Sequence, residues 1–211
     1  MDEKFVITIG RQLGSGGKQV GEALAARLGI SCYDKELIQM ASQESGLCRD
    51  FFEQADEKTR FSIFGGLLGF RSSYVDEGFA NNYLCNEYLF KIQSDVIREL
   101  AGKQSCIFVG RCADYILREH PCCINVFISA DMKDRIRHIS DSQQISAEKA
   151  RELIERTDKK RAGYYNYYSN KTWGMAASYH ICINSSASGT EGAVDFIQMF
   201  VEKRLVLRIT N

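Results

Sequence analysis

Proline is nearly absent from this 211-residue chain; the single one is Pro121. That excludes proline-rich linkers and any polyproline or collagen-like architecture. Net charge is absent as well, with 27 Lys and Arg against 27 Asp and Glu. A balanced surface has no general grip on nucleic acid or anionic membrane, so any phosphate recognition has to come from a local site. No apolar run approaches the ~20 residues needed to cross a bilayer. The start, Met1-Asp2-Glu3-Lys4, lacks the cationic segment and longer apolar stretch of a secretory signal. A cytoplasmic location is expected. Eight cysteines are present, yet no CxxC pair and no Cys/His ligand spacing occurs, so no metal site is expected. Several thiols (Cys106, Cys123, Cys182) sit inside apolar segments, where a reduced cysteine behaves as a small hydrophobe.

What the chain does have is 45% hydrophobic residues, enough to bury a core at this length. Phe5-Val6-Ile7-Thr8-Ile9 is short, β-rich and nearly all apolar, as a strand buried on both faces requires. Gly10 to Lys18 holds four glycines. A helix with Val20, Leu24, Ala25 and Leu28 on one face follows and ends at Gly29. Ile30–Tyr33 predicts a second strand, and Asp34 the N-cap of a helix through Met40. Residues 46–82 mix phenylalanines and glycines without a sustained period and predict a short helical lobe or flap. An amphipathic helix is expected over 83–101, and strands over Cys106–Val109, Ile124–Ile128 and Tyr179–Ile183. Asp131 and Ser146 read as the caps of two more helices, the second charge-rich and reaching about Tyr168. A last helix is expected from Thr190 to about Arg204. Five short apolar strands alternating with helices imply an α/β fold of three layers, α/β/α, around a five-stranded parallel sheet.

In open parallel sheets, ligands bind at the carboxyl ends of the strands. Strand one delivers Gly10-Arg11-Gln12-Leu13-Gly14-Ser15-Gly16-Gly17-Lys18 to that edge. The others deliver Tyr33-Asp34, Gly110-Arg111, Ser129-Ala130-Asp131 and Asn184-Ser185-Ser186. A glycine-rich turn between a strand and a helix lets backbone N–H groups converge on an anion, and the helix N-terminus adds its dipole. Arg11, Gln12, Gly14, Ser15, Gly16, Gly17, Lys18 and Gln19 are therefore candidate phosphate-binding residues. The loop is not a regular GxxxxGK[ST] motif, because Gln12 stands where a glycine would be and Gln19 where the hydroxyl that holds Mg²⁺ would be. Asp34 is either a helix cap or a substrate contact. The Tyr164–Tyr168 cluster with Trp173 reads as helix packing before base stacking.

These segments resemble the cytidylate kinase-like family of P-loop nucleoside monophosphate kinases. The likeness runs from Ile7 to Ser186. It rests on Ile7–Gln12 with Gly14–Lys18, Tyr33–Ile38, Val109-Gly110-Arg111, Val126–Ile128, Asp158–Tyr165 and Cys182–Ser186. The chain looks closer to the family's uncharacterised branch than to the cytidylate kinases of pyrimidine metabolism. The resemblance implies a P-loop NTPase fold binding ATP with Mg²⁺, a small inserted helical lobe for a monophosphate acceptor, and a basic helical lid. As one domain over 1–211, the core would be about 1–45, 83–130 and 178–211, the lobe about 46–82 and the lid about 131–177. Arg111 would hold the acceptor phosphate, with Cys112 where an aspartate is usual. Lys18 falls one residue after the usual lysine position. Arg156, Asp158 and Arg161 would be catalytic lid residues, with Asp34, Arg135 and Arg137 toward the substrate.

The leading expectation is an ATP-dependent phosphotransferase acting on a small acceptor such as a nucleoside monophosphate, without nucleic acid or membrane as partner. A degenerate nucleotide- or phosphate-binding protein on the same fold is the second. A kinase for another small hydroxylated metabolite is the third. Oligomeric state is not legible.

Overall fold

The computed structural model describes residues 4–35, 37–38 and 79–209. Of the lobe expected over 46–82, residues 46–78 lie outside them, as does the end of the helix expected to reach Met40. The chain divides into two compact units, Met1–Lys35 with Leu100–Asn211, and Glu36–Glu99.

In the first unit, strand β1 (Val6–Arg11) leads through the glycine loop into helix α1 (Gly17–Leu28), then strand β2 (Ser31–Tyr33). Gly29 ends α1 at φ 64°, its N–H reaching the carbonyls of Ala25 and Ala26. Helix α2 (Phe79–Lys103) belongs to the second unit up to Glu99 and, from Leu100, to the first. It is longer at both ends than the helix expected over 83–101. Strand β3 (Cys106–Val109), a one-turn helix α3 (Ala113–Ile116), strand β4 (Cys123–Ser129), helices α4 (Met132–Gln143) and α5 (Ala147–Ser169), strand β5 (Ile181–Asn184) and helix α6 (Ser185–Ile209) complete the order.

The five strands form one parallel sheet in the order β2-β3-β1-β4-β5. Alternation sorts the faces: Ile7, Ile9, Ile107, Val109, Ile124, Val126 and Ile128 pack with Val20 and Leu24 of α1 and Val194, Ile197 and Val201 of α6. Burying each of these aliphatic side chains stabilises the fold by ~1.5–3 kcal/mol. Elsewhere in the sheet Phe127 meets Trp173 edge-on at 5.2 Å and Tyr179 at 4.9 Å, between ring centroids. Helices α4 and α5 form their own small core from Ile139, Ala150 and Ile154, into which Leu13 of the glycine loop packs.

Three expectations need correction. Asp131 occupies the N-cap of α4 without capping it, because its carboxylate accepts from Asn184 Nδ2 at 2.9 Å instead. Ser146 does cap α5, accepting from the Lys149 N–H. Strand β5 begins two residues later than expected, since Tyr179 ends a short 3-10 turn and turns its ring onto Phe127. The last helix begins at Ser185 and is broken at Gly189 (φ 68°, ψ 173°), a conformation essentially restricted to glycine.

Cys32, Cys106, Cys112, Cys122, Cys123 and Cys182 are free thiols. Burial pushes Cys106, Cys112 and Cys123 up to about 12, so they stay protonated and inert as nucleophiles. Among the described residues, no helix is long and apolar enough to cross a membrane.

Candidate active site

The strand order sets the carboxyl ends of β3, β1 and β4 side by side, and the glycine loop leaves the middle one. Its first residue extends the sheet: Gln12 N–H donates to the Ile128 carbonyl at 3.0 Å, and the Gln12 side-chain oxygen accepts from Ala130 N–H at 3.2 Å. The hydroxyl of Ser15, a candidate phosphate-binding residue by sequence, turns inward and donates to the Gln12 carbonyl at 2.9 Å; Ser15 is buried. Gly14 and Gly16 both have positive φ, 80° and 73°. Gly16 is the N-cap of α1 and supplies no capping side chain, so the first-turn N–H groups face out of the helix end. Gly17 begins the helix, and a Cβ there would meet Arg11 Cβ at 2.5 Å.

Leu13 is held from both sides. Its N–H donates to Asp158 Oδ1 at 2.8 Å and its carbonyl accepts from Arg135 Nε at 2.7 Å. Arg135 Nη2 in turn pairs with Asp158 Oδ2, closing a ring between α4, α5 and the loop. Arg135 is 3% exposed. Both side chains read by sequence as substrate or catalytic groups are thus committed to the loop backbone. Arg161 follows the same pattern in part, donating to the Arg11 carbonyl at 3.1 Å. Burial pulls the Arg161 guanidinium below its ordinary value, and the Asp158 charge opposes that.

Lys18 is the second residue of α1, half exposed, with Nζ 2.5 Å from Asp34 Oδ2 and 3.9 Å from Glu22 Oε1. Asp34 is buried at the end of β2. Gln19 and Arg137 line an open groove of about 650 Å³ together with Gly14–Gly16, Ser185 and Thr190. Arg137 is also paired with Asp134 at 2.8 Å. The Ser185 hydroxyl bridges the carbonyls of Ser15 (2.8 Å) and Ser129 (3.0 Å). Ser185→Ala is expected to cost about 1 kcal/mol in urea unfolding and to weaken nucleotide-induced thermal stabilisation, because the Ser15 carbonyl loses its tether. Arg156 is exposed on α5 and lines neither this groove nor the cavity that follows.

A second, smaller cavity of about 60 Å³ opens on the other side of β1, lined by Arg11, Arg111, Arg161, Asp114, Tyr165 and Tyr179 among others. Its rim is strained. Arg111 and Cys112, with φ of 60° and 53°, are the central residues of a turn closed by Ala113 N–H on the Gly110 carbonyl at 3.2 Å. Each non-glycine residue held there costs ~1–2 kcal/mol, and such strain concentrates at functional positions. Gly110 has φ 85°, where an L side chain is strained, and a Cβ there would have to displace the Arg11 guanidinium. The Arg111 guanidinium sits 6.0 Å from the centre of the Tyr164 ring.

Sequence reasoning missed Asp114 and placed packing ahead of base stacking for Tyr164, Tyr165 and Trp173. They do pack, yet all three also line the cavity with Asp114. The available signal was an aspartate five residues past the end of a strand that already delivered Gly110-Arg111.

No curated protein matches the chain in sequence. Among solved structures it is similar to an uncharacterized protein from Eubacterium ventriosum ATCC 27560. That match has 25% identity and a TM-score of 0.72, over 94% of this chain and 99% of that one. It shares a fold with shikimate kinase from Bacteroides thetaiotaomicron, at 13% identity and a TM-score of 0.52, over 94% and 98% of the two chains. The expected fold is thereby shown: a five-stranded parallel sheet with helices on both sides, as in P-loop kinases. The cytidylate kinase-like family model matches residues 6–187, and the chain belongs to the cytidylate kinase-like family.

Proposed function

We propose that the protein is an ATP-dependent phosphotransferase that moves a γ-phosphoryl group to a small acceptor such as a nucleoside monophosphate. One observation carries this reading. An uncapped helix N-terminus beside an open groove and a cavity with three arginines on its lining both adjoin the end of the same strand, β1, within the segment that the family model matches. The first suits the phosphates of a nucleotide, the second an anionic acceptor.

In this reading Gly14, Ser15, Gly16, Gly17 and Gln19 face the nucleotide, while Arg11 and Gln12 fix the loop. Lys18 leaves Asp34 for the β- and γ-phosphates. Arg111 holds the acceptor phosphate. Arg161, and Arg156 after lid movement, meet the charge that spreads over the transferred group. Arg135 and Asp158 act through Leu13 by holding the loop in shape. Arg137 flanks the nucleotide groove. An acceptor oxygen forms the new bond to phosphorus as the bond to the ADP oxygen breaks.

Kinases of this type use ATP with Mg²⁺, which would supply neutralisation of the phosphate charge when bound. Among the described residues, no group of three or more His, Cys, Asp or Glu side chains could hold a metal ion. The donors present still fit Mg²⁺, which keeps several waters and needs only one or two carboxylates beside the phosphates. Asp34 is a buried carboxylate beside the loop lysine.

The test is ADP formation from ATP, Mg²⁺ and a panel of nucleoside monophosphates. Turnover above background is expected, with Lys18→Ala at least ~100-fold slower. Arg111→Ala should raise the acceptor KM more than the ATP KM. A folded protein that turns over no acceptor would overturn the reading. The second reading, a nucleotide-binding protein without transfer, is favoured by the Lys18–Asp34 pair and by the inward Ser15 hydroxyl. It predicts thermal stabilisation by ATP with no ADP formed.

A further inference from the structure

Three guanidinium residues line the 60 Å³ cavity, but Asp114 is the one carboxylate among its lining residues. Asp114 is 6% exposed and sits in the single turn of α3. Its Oδ2 accepts from the Tyr165 hydroxyl at 2.6 Å, and its own N–H and that of Tyr115 also face it. Tyr165 is stacked on Tyr179 at 6.1 Å between centroids, so the hydroxyl that orients the carboxylate is itself fixed. No ion pair of Asp114 exists among the described residues. The cation that acts on it is Lys171, which is not part of the cavity lining. A buried carboxylate without a paired charge is costly, and burial accordingly pushes its carboxyl up. No other lining side chain is an anionic acceptor. Thr8 Oγ1 is bonded to Asn125 Oδ1 at 2.9 Å, and the Cys112 thiol stays protonated.

The cavity therefore has a cationic rim and one fixed acceptor. A bare anion would gain from the arginines and be repelled by Asp114. An anion that also carries a hydroxyl or amino group satisfies both. We propose that Asp114 is the acceptor-recognising carboxylate of this cavity, and that the acceptor is a small anion bearing its own hydrogen-bond donor. The inference rests on the reading that the cavity receives the acceptor.

The test compares matched probes by thermal shift and by ADP formation. The pairs are CMP against UMP, CMP against 2′,3′-dideoxy-CMP, and ribose 5-phosphate against inorganic phosphate. In the wild-type protein at least one donor-bearing probe is expected to bind about tenfold tighter than its partner. Asp114→Asn keeps an oxygen for the Tyr165 hydroxyl but loses the charge, and should bring that ratio within about twofold while ATP stabilisation is unchanged. Tyr165→Phe keeps the charge but frees the carboxylate, and should reduce the ratio at least threefold; it carries the test if the Asn variant fails to fold. A ratio that persists in the folded variants, equal binding of all partners, or no binding by any probe overturns the inference. Turnover with an unchanged ratio defeats this inference alone. A ratio that depends on Asp114 without any ADP formed defeats the kinase reading alone.

Discussion

Arg135→Ala is expected to lower unfolding free energy by about 3–5 kcal/mol, the largest single-residue effect outside the hydrophobic core. Removing one partner of a buried ion pair leaves the other charge without compensation, and that loss typically has this size. Here the guanidinium also carries the Leu13 carbonyl, so a backbone acceptor is orphaned at the same time. In a chain of this length the change corresponds to a midpoint lowered by roughly 10 °C. Asp158→Asn should cost less, because its amide oxygen still accepts from Leu13 N–H. A double-mutant cycle by urea unfolding should give a coupling between the two positions well above the ~0.5 kcal/mol seen for independent sites. Additive effects would mean that the ring through Leu13 is not a unit.

Gly14→Ala is the second. At φ 80° an L side chain is strained by ~1–2 kcal/mol. Its Cβ would also lie 2.9 Å from the backbone oxygen of Arg135 and 3.1 Å from its Cα, neither of which can swing aside as a side chain tip would. Overpacking of this kind adds ~1–3 kcal/mol. A total of about 2–5 kcal/mol is expected, together with loss of ATP-induced stabilisation, since the loop can relieve the contact only by leaving its place against α4. Gly29→Ala makes a useful contrast. There φ is also positive, but nothing lies within 4 Å of the added carbon, so strain alone should appear and ATP binding should survive.

Most of the fold was legible because its strands are short, apolar runs that can only sit between two layers of helix. Ile7, Ile107 and Ile124 announce the sheet by composition. The glycine loop was legible for a similar reason: four glycines between a strand and a helix have few other uses. The clamp on Leu13 was not. Periodicity says which face of α4 and α5 is apolar, but not that a basic side chain at 135 and an acidic one at 158 reach the backbone of residue 13, over 120 positions away. Charge-rich helices look alike whether their side chains meet solvent, substrate or main chain. Asp114 was hidden differently, because a lone aspartate on a one-turn helix has no spacing to reveal it.

The position of β1 between β3 and β4 has a consequence for synthesis. Val6 pairs with Cys106 on one side and Cys123 on the other, so β1 waits longer for its first partner than any other strand of the sheet. At ~5–20 residues per second, the ribosome takes roughly 5–25 s to supply residue 123 after residue 6. Until β3 is made at Cys106–Val109, an apolar strand has no partner to join, and contacts of such separation close slowly even once the partners exist. Among the five strands, the one that leads into the glycine loop is therefore exposed longest to chaperones during synthesis.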